Sequence, residues 1–509
     1  MADFPMYPFW DLIAEESYAY RNPILRMGSQ KQFLEREASK NVYLFGCNAA
    51  SRLFIELYGA EVEIQGVLDN AKAKIGSDFA GKIVKNVYET VPGLSPDKDV
   101  IIIAMRLNGD KIAQQLDSFG FHNYYGLAKL IADTPPFSEL VEYTESLKKQ
   151  PLEDIIMLES TNDFDGNAGA LYEYLKKEHS AHQFVWVVKN KENEKLCIDK
   201  KDVTLCPAYS EEDMRQYIRY RAKASWQIWD NNPIRKVRRD QINIFLQHFG
   251  MGYKQVKHIY NAPEYVDYVL TTTKSVYTYV CKSLLYAPTS KILFGELPRN
   301  DVLVCGTWHE LQKITSHKYE KVIMWAPTLR DSSMFNRVDS DITYPFGIPL
   351  LYTGEEMETV NAFLKERNML LIIKIHPRQK KNYATGPYSN ILYLDEEHEK
   401  RVHTYKLMTQ MDAMISDYSS IVFDYMLVDR PIAWVLEDRE HYQIPFLMEN
   451  PLDYMPGPQI YTVTQLCAFL QDIYQGRDAY KAARNKVSEK CNAPKKGKGC
   501  ENLVKRLKL

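Results

Sequence analysis

The sequence predicts an α/β protein made of three successive Rossmann-like units, and three observations carry that expectation. Its 509 residues, 45% of them hydrophobic, are enough for about three cores at roughly 100 to 200 residues each. Apolar strand-like runs alternate with helical stretches along most of the chain, the pattern of parallel sheets. No repeat of 20 to 50 residues and no low-complexity block interrupts them, which argues against a solenoid.

Composition excludes several classes. The longest apolar runs, such as Val100 to Met105 and Met369 to Ile373, fall short of the ~20 residues that cross a bilayer, and Met1 opens no basic-then-apolar leader. A cytoplasmic chain is expected. With 64 basic against 66 acidic residues the net charge is −2, so no global field recruits nucleic acid or an anionic surface. The eight cysteines show no close pair at metal-ligand spacing, and buried free thiols are expected.

The first unit is assigned to residues 1–145. Asn41 to Gly46 forms a strand ending in a glycine turn, a helix follows over Ala49 to Tyr58, and further strands are expected at Ile64 to Leu68 and Asp99 to Ala104. A glycine turn opening a helix can meet a phosphate, and Asp69 stands where a ribose would be bound. However, Gly46-Cys47-Asn48-Ala49-Ala50-Ser51 keeps only the first glycine of G-x-G-x-x-G, which favours an accessory domain for docking or stabilisation over a NAD site. Pro135-Pro136 and the charged stretch Glu142 to Lys149 mark a boundary.

Two further α/β units are assigned to 151–315 and 316–509, as lobes facing a cleft. In the first, strands are expected at Ile155 to Leu158, Phe184 to Val188, Trp226 to Trp229, Ile242 to Leu246 and Lys291 to Phe294, with a helix over Ala170 to Glu178. In the second, strands at Lys321 to Ala326, Leu370 to Ile375, Ala413 to Ile415 and Ile432 to Leu436 alternate with helices at Glu355 to Arg367, His403 to Met411 and Ser419 to Val428.

Open α/β sheets bind ligands at the carboxyl ends of their strands, so the residues that follow each strand carry the information. Three such loops in the last unit are rich in cations and hydroxyls: Pro327-Thr328-Leu329-Arg330-Asp331, then Lys374 with His376-Pro377-Arg378, then Ser416-Asp417-Tyr418-Ser419-Ser420. Each alone has an ordinary explanation as a cap, a turn or a surface pair. Together they suit a pyrophosphate, because a helix start offers unpaired N–H groups, serines add hydroxyls, and Arg330 can grip two oxygens at once. The same groups would stabilise charge developing on a departing phosphate.

In the opposite lobe, Ile242 to Gln247 leads into His248-Phe249-Gly250-Met251-Gly252-Tyr253-Lys254. A neutral imidazole there can take a hydroxyl proton, and the glycines let a substrate approach the backbone. His179, His182, His258, His309, His317, His398, His403 and His441 lack such a setting and receive no role.

These residues resemble a known family, the CDP-glycerol:poly(glycerophosphate) glycerophosphotransferases, which build teichoic acids and related capsule polymers in bacteria. The likeness spans roughly residues 152 to 505. It is most specific in Ile415-Ser416-Asp417-Tyr418-Ser419-Ser420-Ile421-Val422-Phe423-Asp424-Tyr425, followed by Arg430-Pro431-Ile432 and Asp438. Ala326-Pro327-Thr328-Leu329-Arg330-Asp331, Lys374-Ile375-His376-Pro377 and Leu297-Pro298-Arg299-Asn300-Asp301 are similar to three other family elements. Weaker agreements are Glu159-Ser160 with Asn167, Val185-Trp186-Val187 and Pro456-Gly457-Pro458.

The resemblance implies a GT-B architecture, two Rossmann-like lobes with the donor held by the C-terminal one, here preceded by an extra N-terminal Rossmann-like domain. It implies that His376, Arg330, Ser419 and Ser420 hold the CDP-alditol pyrophosphate while Asp417 and Asp424 shape the loop, with Thr328, Lys374 and Ser416 on the same rim. The family stretch carrying its proposed base maps onto His248, with Gly250 and Lys254 on the acceptor side. There Gln247 replaces a tryptophan, Phe249 is inserted and Lys254 lies one residue farther from the histidine.

The implied reaction is attack by an acceptor hydroxyl on the β-phosphorus of CDP-glycerol, releasing CMP, with His248 and His376 as the catalytic histidines. Positioning and charge stabilisation would supply most of the barrier reduction. No cofactor and no metal is indicated, because no carboxylate cluster with metal spacing accompanies the rim. The implied acceptor is a lipid-linked glycan or polyol phosphate, which calls for a peripheral contact on the inner face of the cell membrane. Arg235-Lys236-Val237-Arg238-Arg239, Lys495-Lys496-Gly497-Lys498 and Lys505-Arg506-Leu507-Lys508 are the basic stretches available, each equally readable as a solvated face. Alternatives on the same residues are a nucleotide-sugar glycosyltransferase, a nicotinamide-dependent oxidoreductase or sensor acting through the first unit, and a catalytically silent assembly component.

Overall fold

The computed structural model describes residues 30–509 apart from 106–108, 136, 161–162, 179, 189–201, 208–212, 232, 249, 256–265, 333–336, 377–378, 380–383, 396–397, 399–400 and 495–496, and without the side chains of 73, 129, 332 and 337. Among the residues singled out above, Met1, Pro136, Phe249, Pro377, Arg378, His179, His258, Lys495 and Lys496 lie outside the described residues. The chain forms two compact units: Met1–Phe164, Ala181–Phe245 and Ile259–Asp267 make one, and Asp165–Ser180, Leu246–His258 and Tyr268–Leu509 the other.

The first unit holds a six-stranded sheet of β1 (Asn41–Phe45), β2 (Glu63–Asp69), β3 (Asp78–Phe79), β4 (Lys82–Asn86), β5 (Asp99–Ile103) and β6 (Tyr124–Gly126) in the order β3-β4-β2-β1-β5-β6. All its pairings are parallel except β3 with β4. Alternation along the strands explains why it folds. Val42, Leu44, Val100 and Ile102 feed one core cluster, and Tyr43, Phe45, Ile101 and Ile103 the other, so both faces are covered. Each such side chain contributes about 1.5–3 kcal/mol on burial.

The charged stretch 142–149 falls largely within a helix, Phe137–Lys148, which begins directly after the proline pair. Phe137, Leu140, Thr144 and Leu147 are its buried positions, a helical spacing that the surrounding charges obscure in the sequence. The unit continues with β7 (Glu153–Glu159), β8 (Gln183–Val188), β9 (Val203–Pro207), β10 (Ala224–Trp229) and β11 (Ile242–Phe245), joined in parallel in the order β9-β8-β7-β10-β11.

The second unit contains the helix Gly166–Lys177, the parallel pair β12 (Tyr268–Thr271) and β13 (Ile292–Phe294), and a larger sheet. Its strands are β14 (Lys321–Ala326), the short hairpin β15 (Asp331–Ser332) and β16 (Arg337–Val338), then β17 (Met369–Ile373), β18 (Ile391–Tyr393), β19 (Ala413–Ser416), β20 (Ile432–Val435) and β21 (Gln459–Ile460). The sheet runs β18-β17-β14-β19-β20-β21, every pairing parallel. Val322, Met324, Leu370, Ile372 and Trp434 pack on one face, and Ile323, Trp325, Leu371, Ile373 and Val435 on the other.

Helices Gly354–Glu366 and Val463–Tyr474 cover the second face, through Met357, Val360 and Leu364 and through Leu466, Phe469, Leu470 and Ile473. Both start with a capping box, Thr353 with Glu356 and Thr462 with Gln465, which satisfies two orphan N–H groups at each end. The protein is thus α/β with parallel sheets, as the alternation predicts. Among the described residues no helix is long and apolar enough to cross a membrane.

Candidate functional site

Register brings the three predicted loops together. Ala326 pairs with Ser416 and Trp325 with Ile373, so the carboxyl ends of β17, β14 and β19 align and their following residues start side by side. Direct bonds then tie them. Ser416 Oγ donates to the Ala326 carbonyl at 2.5 Å, Thr328 N to Asp417 Oδ1 at 2.9 Å, and Lys374 N to the Trp325 carbonyl at 2.8 Å. Gln379 N donates to the His376 carbonyl at 2.9 Å while its Oε1 accepts from Arg330 N at 3.1 Å.

Within this shelf the side chains divide by exposure. Lys374, His376, Ser419 and Ser420 are half-buried and so reachable. Ser420 precedes the five-residue helix Ile421–Tyr425 and its hydroxyl makes no capping bond to it. Thr328, Ser416 and Asp417 are buried, the latter two bonded within the rim as described.

Arg330, expected to grip two phosphate oxygens, is turned inward and only 2% exposed. Its Nε and Nη2 donate to Asp438 at 2.7 and 3.2 Å, Nη2 also lies 2.8 Å from Asp417 Oδ2, and Nη1 donates to the Thr328 carbonyl at 3.1 Å. The rings of Tyr442, Tyr418 and Tyr344 lie 5.3, 5.6 and 5.8 Å from its Cζ. Burial would push the guanidinium pKa down, but Asp417 and Asp438 outweigh that and raise it, so Arg330 stays charged. Burial pushes the Asp417 carboxyl up, against the pull of Arg330. The guanidinium fork fits two carboxylates, which is why it serves as the clamp of the loop.

Asp424 is also engaged within the protein. Its Oδ2 takes Arg299 Nη2 at 2.8 Å and Tyr405 Oη at 2.6 Å, and its Oδ1 takes Asn300 Nδ2 at 3.0 Å. The turn at 297–301 thereby meets the segment that follows β19. The family resemblance covers that turn but gives Arg299 and Asn300 no role; both are buried polar residues, a property that only the fold reveals.

The loop that carries His248 belongs to the same unit. His248 is exposed, its backbone carbonyl accepts from Arg299 Nη1, and Gly250 N donates to Gln247 Oε1 at 2.9 Å. Gln247 and Gly250 have φ of +47 and +56°, a left-handed conformation that costs a non-glycine residue about 1–2 kcal/mol. Farther along, Lys254 Nζ donates to Thr328 Oγ1 at 2.8 Å.

In the first unit, the glycine turn after β1 is filled by the chain itself. Cys47 N and Ala71 N donate to Asp69 at 3.0 and 2.8 Å, Lys74 Nζ lies 3.0 Å from the same carboxylate, and Asn48 caps the helix through Ala50 N and Ser51 N. Of the basic stretches, Lys236 faces Asp267 at 3.0 Å and Arg238 faces Asp240 at 2.7 Å, while Lys505, Arg506 and Lys508 are exposed.

A family model described as CDP-Glycerol:Poly(glycerophosphate) glycerophosphotransferase matches residues 142–509. The chain is 24% identical over 399 residues to a teichoic acid glycerol-phosphate transferase of Staphylococcus aureus (strain NCTC 8325 / PS 47), covering 70% of this chain and 93% of that protein. It is 24% identical over 322 residues to a teichoic acid poly(glycerol phosphate) polymerase of Bacillus spizizenii (strain ATCC 23059 / NRRL B-14472 / W23), covering 57% and 76%. In fold it is similar to the wall teichoic acid polymerase TagF, with a TM-score of 0.58 and 20% identity over 73% of this chain and 92% of that one.

Proposed function

Because the chain belongs to the CDP-glycerol:poly(glycerophosphate) glycerophosphotransferase family, we propose that it transfers glycerol phosphate from CDP-glycerol to a hydroxyl of a cell-surface polymer precursor of the teichoic acid type. The acceptor oxygen bonds to the β-phosphorus, the bond from that phosphorus to the bridging oxygen breaks, and CMP leaves with the electron pair. A phosphodiester remains. The acceptor proton passes to His248, and no cofactor beyond the donor substrate takes part.

One observation carries the assignment of the site: reachable Lys374, His376, Ser419 and Ser420 stand on loops bonded to one another at three aligned strand ends. These groups hold the pyrophosphate and meet the charge that builds on the departing phosphate, and Lys254, which the resemblance sets on the acceptor side, joins them through its bond to Thr328. Thr328, Arg330, Ser416, Asp417 and Asp424 hold the loops in place. Gly250 keeps the His248 turn open to the acceptor. The wider reading is a GT-B arrangement of lobes 151–315 and 316–509, after a Rossmann-like accessory domain at 1–145. The acceptor is lipid-linked and is reached by peripheral contact of Lys505, Arg506 and Lys508 with the inner face of the cell membrane.

The test is CMP release by the purified protein with a donor panel of CDP-glycerol, CDP-ribitol and nucleotide sugars, in the presence of a polyol-phosphate acceptor. CDP-glycerol is expected to turn over, and His376→Ala to lower that turnover by about 10²- to 10³-fold. Turnover of a nucleotide sugar with CDP-glycerol untouched would overturn the proposal.

A further inference from the structure

We infer that Arg299 is a positioning residue for His248, fixing the peptide that carries the imidazole while taking its own orientation from Asp424. This rests on His248 being the base.

Two successive carbonyls are held from different sides. Asn167 Nδ2 donates to the Gln247 carbonyl at 3.1 Å, and Arg299 Nη1 donates to the carbonyl of His248. The two holders are themselves joined, since Arg299 N donates to Asn167 Oδ1 at 3.2 Å. The other arm of the guanidinium, Nη2, donates to Asp424 Oδ2 at 2.8 Å, and Tyr405 Oη closes on the same oxygen while its ring lies 5.4 Å from the Arg299 Cζ. Arg299 is 6% exposed, Asn167 wholly buried and Asp424 3% exposed, whereas the His248 they surround is exposed.

The backbone at His248 is one that needs holding. Gln247 is left-handed without being glycine, and Gly250 is left-handed three residues beyond it, with a Cβ placed there lying 3.6 Å from Arg299 Nη2 and 4.0 Å from Asp424 Oδ1. Such a turn persists only where neighbours over-determine it. Arg299 is therefore a fork with one tine on the backbone carbonyl of His248 and one on a carboxylate of the helix that follows Ser419 and Ser420, so the segment assigned to the donor also sets where the proton acceptor stands.

The effect is read from kinetics. Arg299→Lys keeps the charge opposite Asp424, but a single ammonium cannot span both partners. It is expected to retain its thermal midpoint within a few degrees and its KM for CDP-glycerol within about twofold, while kcat falls about 10- to 100-fold. In a His248→Asn background the same substitution is expected to add a further loss of less than about threefold, because the group being positioned is gone.

A purely structural role would lower both backgrounds equally, and that additivity would overturn the inference, as would an unchanged kcat in Arg299→Lys. Asn167→Ala gives a second reading of the same network: the same non-additive fall in kcat supports the inference, and wild-type kcat in the folded variant overturns it. If His248→Asn alone keeps wild-type turnover, the base assignment itself fails and the inference with it.

Discussion

Lys254 Nζ donates to Thr328 Oγ1 at 2.8 Å, which ties the lysine of the stretch 248–254 to the loop that follows β14. The ammonium thereby stands beside the loops of the candidate site, and a donor phosphate is the ligand proposed for it. Lys254→Ala should lower kcat/KM for CDP-glycerol by about 10- to 100-fold, the loss of one hydrogen bond to a charged group, with little change in thermal midpoint. Initial rates of CMP release against CDP-glycerol concentration would show it, and an unchanged kcat/KM would contradict it.

Arg330 and His376 should separate in their failures. Arg330→Ala leaves Asp417 and Asp438 buried without their cation, so a stability loss of about 3–5 kcal/mol is expected. His376, half-buried at the rim, should lose turnover with the fold retained. Urea unfolding of both variants beside their activities distinguishes a clamp from a ligand contact.

Asp69 predicts a pH effect in the first unit. Burial pushes its carboxyl up, but the amides of Ala71 and Cys47 and the ammonium of Lys74 prevail, and its pKa lies below the ordinary value. A depressed carboxylate stabilises the folded state above the unfolded pKa near ~4, and that stabilisation disappears as pH falls through the folded value. Asp69→Asn should therefore be less stable than the parent by about 1 kcal/mol at pH 7, with the gap closing below pH ~4. Denaturant midpoints at several pH values measure this, and a gap that widens on acidification would refute it.

Gly250→Ala tests the His248 turn. The φ of +56° penalises any side chain, and the added Cβ would sit 3.4 Å from Leu297 Cδ1. A cost of about 1–2 kcal/mol is expected from the conformation, together with a fall in kcat that exceeds any change in KM. Full activity in a folded Gly250→Ala would show that the turn has no bearing on the reaction.

Much of the candidate site's framework is legible in the sequence. Lys321 to Ala326 is the strand expected, Met369–Ile373 and Ala413–Ser416 lie within two residues of theirs, and the helix at Ala49–Tyr58 has the expected bounds. These elements have both faces or one full face buried, so their apolar pattern is strong. The direction of Arg330 was not legible, because it is decided by Asp438, 108 residues later, and by three tyrosines that close over the guanidinium. The network of Arg299 with Asp424 is equally long-range, 125 residues apart in sequence, and leaves no periodic trace. Val203–Pro207 and Gln459–Ile460 escaped for the opposite reason: the first buries only Cys206 and the second has two residues in all, so neither carries an apolar alternation.

The helix Gly166–Lys177 meets the helix Gly499–Leu507, with Cys500 Sγ reaching the Ala170 carbonyl at 3.6 Å across 330 residues of chain. A nascent polypeptide emerging from the ribosome must leave that early helix without its late partner for most of translation. Contacts of such high order slow the final closing step. Synthesis rate and chaperone supply therefore bear on the yield of active enzyme, and a chain stalled before Gly499 would expose an apolar helix face to aggregation.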